Sequence, residues 1–119
     1  MPEEKKVLIV DDDVDFCDSL ADILEGENLK TTTAYIGEDA VRLIESQVFD
    51  IVLLDIKMPG IDGISVLKLI KKAHPQTRVI IMTGYADVDR VKQALQEKAE
   101  KIVYKPFEVK DFIETIRSL

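Results

Sequence analysis

Four short apolar runs constrain the fold of this chain more than any other feature: residues 7–10, 51–54, 78–82 and 101–104. Each is rich in Val and Ile and too short for a helix. In the first three, apolar residues do not alternate with polar ones. Such runs read as strands buried on both faces, the pattern of a parallel sheet covered by helices. The run 51–54 stops abruptly at Asp55, and Pro59-Gly60 then bars further extension.

Amphipathic stretches fill the intervals. Residues 14–26 carry Phe16, Leu20, Ile23 and Leu24 at helical spacing and end at Gly26, a helix stop. Residues 30–35 have strand propensity but little hydrophobicity, which suits a strand near an edge. Residues 38–47 place Ala40, Val41, Leu43 and Ile44 on one helical face. Residues 62–73 do the same with Ile64, Leu67 and Ile70, and are ended by His74-Pro75. Residues 86–98 carry Val88, Val91 and Leu95, and residues 107–119 carry Phe112, Ile113 and Ile116. Strict alternation of strand and helix predicts a doubly wound α/β fold: five βα units, a parallel sheet, right-handed crossovers and helices on both faces.

At 119 residues without a linker or repeat, the chain is expected to be one domain, 1–119, with residues 1–5 a flexible tail. No apolar run nears the roughly 20 residues needed to span a bilayer, and no signal-peptide core opens the chain. The single Cys17 has no partner for an internal disulfide, which suits a reducing cytoplasm. A formal charge of −7 without a basic stripe argues against direct nucleic-acid binding.

In a parallel sheet all carboxyl ends of the strands share one edge, where open α/β folds place their ligands. That edge would gather Asp11, Asp12 and Asp13 after the first strand, Asp55 after the third, Thr83 after the fourth and Lys105 after the fifth. Only the second strand, ending at Tyr35, brings no obvious reactive group. Clustered carboxylates repel unless protonated or bridged by a cation, and oxygen-only ligands favour a hard ion such as Mg²⁺. A hydroxyl and an ammonium suit phosphoryl oxygens, and a carboxylate can serve as a phosphoryl nucleophile.

Val10-Asp11-Asp12, the segment 54–63 around Asp55, Met82-Thr83-Gly84-Tyr85-Ala86 and Lys105-Pro106-Phe107 resemble the signatures of two-component response-regulator receiver domains, the CheY-like family. The stretch from Met82 to Asp87 is similar to receivers of NtrC-type regulators. The resemblance covers essentially the whole chain. It implies a flavodoxin-like sheet in the order 2-1-3-4-5. It implies that Asp55 is the phosphoacceptor, that Asp12 binds Mg²⁺ directly and Asp11 mainly through water, and that the Lys57 carbonyl completes the protein ligands. Thr83 and Lys105 would bind phosphoryl oxygens, and Lys105-Pro106 would be a cis peptide. The partner would be a sensor histidine kinase or a histidine phosphotransfer protein. The domain would be an enzyme only in modifying itself, with a phosphorylation-linked homodimer or a downstream effector domain as its output. One departure stands out. The family usually has an aromatic residue three positions before the Lys, and here that position is Ile102. Tyr104, on the same strand face and nearer the site, or Tyr85 would supply any aromatic rearrangement.

Two other classes fit these residues less well. A flavodoxin-type cofactor binder needs a phosphate-cradling first loop, and Asp11-Asp12-Asp13 would repel phosphate there without a cation. A magnesium-dependent aspartyl-phosphate phosphatase would normally place its nucleophile after the first strand and add a lid. Plainer roles are expected elsewhere. Asp13 and Asp15 favour the following helix N-terminus. The run 11–15 is no EF-hand loop, since Phe16 stands where Gly is required. Cys17 is a packing or half-exposed residue, His74 a solvated helix end, and Lys5 and Lys6 part of the tail. Lys57 and Tyr85 either screen the site or are ordinary loop residues.

Overall fold

The structure is a computed structural model describing residues 5–58, 60–84 and 88–119. Five strands alternate with five helices: β1 (Lys6–Val10), α1 (Val14–Glu25), β2 (Lys30–Ala34), α2 (Gly37–Ser46), β3 (Ile51–Asp55), α3 (Gly63–Ala73), β4 (Arg78–Thr83), α4 (Val88–Gln96), β5 (Lys101–Tyr104) and α5 (Val109–Arg117). The strands form one parallel sheet in the order β2-β1-β3-β4-β5, as the sequence predicts. β2 is an edge, in keeping with its weak hydrophobicity.

Strand alternation divides the core into two layers. Leu8, Val10, Val52, Leu54, Val79 and Ile81 face α2, α3 and α4, where they meet Ala40, Ile44, Ile64, Leu67 and Ala94. Val7, Ile9, Ile51, Leu53, Ile80 and Met82 face α1 and α5, against Cys17, Leu20, Leu24, Phe112 and Ile116. The three central strands are buried on both sides, so their side chains carry no polar period.

Four local expectations are corrected. Ile23 lies outside the buried stripe of α1, which runs Cys17, Leu20, Leu24; the fully buried Cys17 takes the core position. On α4 the residue turned inward is Ala94, while Val88 is 60% exposed and Leu95 51%. A mean apolar stripe does not say which side of a helix meets the sheet when a small residue permits closer approach. Lys6 opens β1 rather than extending a tail, and the Lys5 carbonyl accepts a hydrogen bond from Lys30 N–H at 2.9 Å. Residues 1–4 of the expected tail lie outside the described residues, as do Ala86 and Asp87 at the expected start of the fourth helix. His74 is half-buried and donates from Nε2 to the Ile44 carbonyl at 3.0 Å. It thereby satisfies an orphan carbonyl near the end of α2.

Gly63, the first residue of α3, sets how closely that helix approaches the end of β3. A Cβ there would lie 2.7 Å from the carbonyl oxygens of both Asp55 and Ile56. These are backbone atoms that cannot rotate away. Gly63→Ala is therefore expected to cost about 1–3 kcal/mol of stability despite the better helix propensity of Ala. A urea denaturation midpoint equal to that of the unsubstituted chain would show that the loop yields freely.

Candidate functional site

The sheet register brings the strand ends together. Val10 pairs with Leu54 and Asp55 with Met82, so the residues just beyond β1 and β4 flank the end of β3. Thr83 pairs with Tyr104, which places Lys105 beside it, and the Lys105 N–H donates to the Thr83 carbonyl at 2.8 Å. Asp11, Asp55 and Thr83 are among the few buried polar residues of the described chain. Asp12 and the Lys57 side chain are exposed.

One carboxylate oxygen from each of Asp11, Asp12 and Asp55 lies within 4.8 Å of the others. The donor set is entirely oxygen and open to solvent through Asp12, which fits a hard divalent cation that keeps waters and takes phosphate oxygens. Asp13 lies outside that trio and N-caps α1 instead, its side chain accepting from Phe16 N–H at 3.0 Å.

Lys105 reaches two of these carboxylates. Its ammonium is ion-paired with Asp11 Oδ2 and stands 3.8 Å from Asp55 Oδ2. The second oxygen of Asp11 accepts from Asp13 N–H at 3.0 Å, and the other oxygen of Asp55 accepts from Lys57 N–H at 3.1 Å. The Lys105–Pro106 peptide is cis, as expected.

Burial, together with the neighbouring Asp11 and Asp12 charges, pushes the Asp55 carboxyl up to about 6, against the lowering effects of Lys57 N–H and Lys105. Burial, reinforced by Asp11, pushes the Cys17 thiol up to about 12, and its Sγ–H donates to the Asp11 carbonyl at 3.3 Å. That thiol is a core group and not a nucleophile.

Two contacts around the site carry no motif that sequence reading could use. Arg90 on α4 donates from one guanidinium nitrogen to Asp62 Oδ1 at 3.0 Å and to the Ile56 carbonyl at 3.2 Å, tying α4 to the loop after β3. The Phe16 ring lies under the Lys105 ammonium. The hydrophobic spacing of α1 marks Phe16 as apolar, but only the fold brings it to residue 105. Ile102 is partly buried against the α2–α4 layer, and Tyr104 is half-exposed at the edge. Tyr85 lies outside the described residues.

The sequence profile of a family described as the response regulator receiver domain matches residues 7–117. The transcriptional regulatory protein ZraR of Salmonella typhimurium is 37% identical over 110 residues, 92% of this chain and 25% of that protein. The DNA-binding transcriptional regulator NtrC of Escherichia coli is 38% identical over 107 residues, 90% of this chain and 23% of that protein. The chain thus spans about a quarter of the length of these curated relatives. A CheY-like receiver domain protein from Methanospirillum hungatei superposes with a TM-score of 0.94 at 33% identity, covering 97% of this chain and 92% of that one.

The raised Asp55 carboxyl has a signed consequence for stability. Its folded value of about 6 exceeds the ordinary 3.8, so the fold favours the neutral form. Stability contributed this way is full below about pH 4 and is lost as pH rises through about 6. The loss is on the order of 2–3 kcal/mol. With divalent cations chelated, urea midpoints are expected to fall between pH 5 and 7.5, and Asp55→Asn to flatten that fall. An equally steep fall in the variant would contradict the origin assigned here.

Proposed function

The chain belongs to the response regulator receiver family of two-component systems, and from that premise we propose that Asp55 accepts the phosphoryl group in a Mg²⁺-dependent transfer from a phosphohistidine. The observation that carries the residue assignment is the convergence on Asp55. It is the carboxylate that ends the central strand, with Asp11, Asp12 and Lys105 around it.

In this mechanism a carboxylate oxygen of Asp55 attacks phosphorus. The P–N bond to the donor imidazole breaks, its electron pair returns to the ring, and an acyl phosphate forms. Asp12, Asp55 and the Lys57 carbonyl would hold Mg²⁺, with Asp11 acting mainly through water, and the ion would supply positive charge that offsets the carboxylates and the phosphoryl group. Lys105 releases Asp11 and binds a phosphoryl oxygen, and the Thr83 hydroxyl donates to another. The same groups would serve the later hydrolysis, so catalysis is limited to self-modification. The donor would be a sensor histidine kinase or a histidine phosphotransfer protein in the cytoplasm. Among the described residues no helix is long and apolar enough to cross a membrane. Residues 1–119 would act as one receiver unit whose modification repositions the segment after Thr83 and the exposed face of α4. The surface beyond that face would engage a downstream effector domain or a second receiver.

Asp55→Asn is expected to abolish the phosphate mass gained on incubation with acetyl phosphate and Mg²⁺. Undiminished modification by intact-mass measurement would overturn the assignment.

The metal has its own test. A cation that binds only the folded chain at one hundred times its dissociation constant adds about 2.7 kcal/mol of stability. Asp12→Ala should remove most of the Mg²⁺-induced rise in melting temperature. A rise equal to that of the unsubstituted chain would show that Asp12 is not a direct ligand.

A further inference from the structure

We propose that Phe16 is a positioning residue for phosphoryl transfer, its ring face holding the Lys105 ammonium over the acidic trio. The inference rests on the reading of Lys105 as a phosphoryl ligand.

Lys105 Nζ stands 4.4 Å from the Phe16 ring centroid, within the range at which a ring quadrupole attracts a cation. The ring is itself braced by two further aromatic residues. Phe107 meets it edge-on at 6.0 Å and an interplanar angle of 78°, and Phe107 in turn stacks on Phe112 at 4.4 Å and 17°. Phe112 is fully buried between α5 and the sheet. The aromatic column therefore connects the ammonium to the rigid core.

Phe16 is fixed at its backbone by the same acidic turn that carries the site. Asp11 Oδ1 accepts from Asp13 N–H, Asp13 Oδ1 accepts from Phe16 N–H, and Lys105 above the Phe16 ring donates to Asp11 Oδ2. These contacts close a circuit from Asp11 back to Asp11.

The circuit matters because the Lys105–Asp11 pair competes with the proposed chemistry. When Asp11 engages a cation, the ammonium loses the carboxylate that now fixes it. Beside it opens an apolar groove of about 460 Å³ lined by Phe16, Leu20, Ile23, Pro106 and Phe107. A long flexible side chain released next to such a groove has room to swing off line. The Phe16 face attracts the ammonium without occupying the carboxylates, so Lys105 stays within reach of Asp55, from which it is 3.8 Å away. An aliphatic residue would fill similar volume but offer no such attraction.

The test uses beryllofluoride as the phosphoryl probe at saturating Mg²⁺, with Mg²⁺ affinity measured separately, in the full 119-residue chain. Phe16→Leu is expected to weaken beryllofluoride binding roughly 2–10-fold, the range an exposed to partly desolvated cation–π contact allows. Mg²⁺ affinity and the urea midpoint should stay close to their starting values. Phe16→Tyr, which retains the ring face, should restore binding, and in a Lys105→Met background Phe16→Leu should have no further effect. The inference is overturned if Phe16→Leu binds the probe normally, if Phe16→Tyr is as impaired as Phe16→Leu, or if the loss persists without Lys105. Should Lys105→Met itself leave beryllofluoride binding intact, the assignment of Lys105 falls and this inference with it.

Discussion

The site depends on one ammonium among several carboxylates. Asp11 and Asp55 are buried, and Asp12 adds a third negative charge within 4.8 Å. Without compensation such a cluster would oppose folding, since burial and like charge both penalise ionisation. Lys105 supplies that compensation from a strand end 94 residues away from Asp11 in sequence. The compensation is incomplete: burial, with the Asp11 and Asp12 charges adding to it, still holds the Asp55 carboxyl above its ordinary value. The fold therefore holds the carboxylates under tension that either a proton or a cation relieves.

That arrangement follows from topology more than from local sequence. β1 and β3 are neighbours although a complete βα unit separates them in the chain, because the order reverses at β1. Open α/β sheets place their ligands at the carboxyl edge where such a reversal occurs, and Asp11, Asp12 and Asp55 cluster there. Gly63 then lets α3 start directly against the end of β3, where any Cβ would strike the Asp55 and Ile56 carbonyls. Within the loop that leads from Asp55 to Gly63, the Lys57 N–H donates back to the Asp55 carboxylate.

The strands were legible because central parallel strands must be apolar on both faces, and Val7, Ile51 and Val79 to Met82 satisfy that literally. The placement of the candidate site was legible for the same reason: strand ends in a parallel sheet fall on one edge, so Asp55, Thr83 and Lys105 come together there. Helix faces were harder. Ile23 and Leu95 fit an apolar period, yet Cys17 and Ala94 took the inward positions. A smaller residue can win when the helix sits close to the sheet, and periodicity holds no information about that distance. Phe16 under Lys105 and Arg90 on Asp62 join elements far apart in the chain, with no local pattern to announce them.

The exposure of α4 has a physical corollary. An element anchored by many buried apolar side chains moves only with the core, whereas one anchored by few can shift locally. The buried residue of α4 is Ala94, among the smallest side chains available, while Val88 and Leu95 face outward. Burial of Ala94 contributes little compared with the Leu20–Leu24 pair of α1 or Phe112 of α5. What adds to the hold on α4 is polar: Arg90 reaching Asp62 and the Ile56 carbonyl. Both acceptors belong to the segment that leads out of Asp55, and Asp62 also N-caps α3 through Ile64 N–H. A rearrangement of that segment therefore acts directly on the anchorage of the least apolar-bound helix. The coupling needs no contiguous path through the core, because the Arg90 guanidinium of α4 already reaches the loop after Asp55.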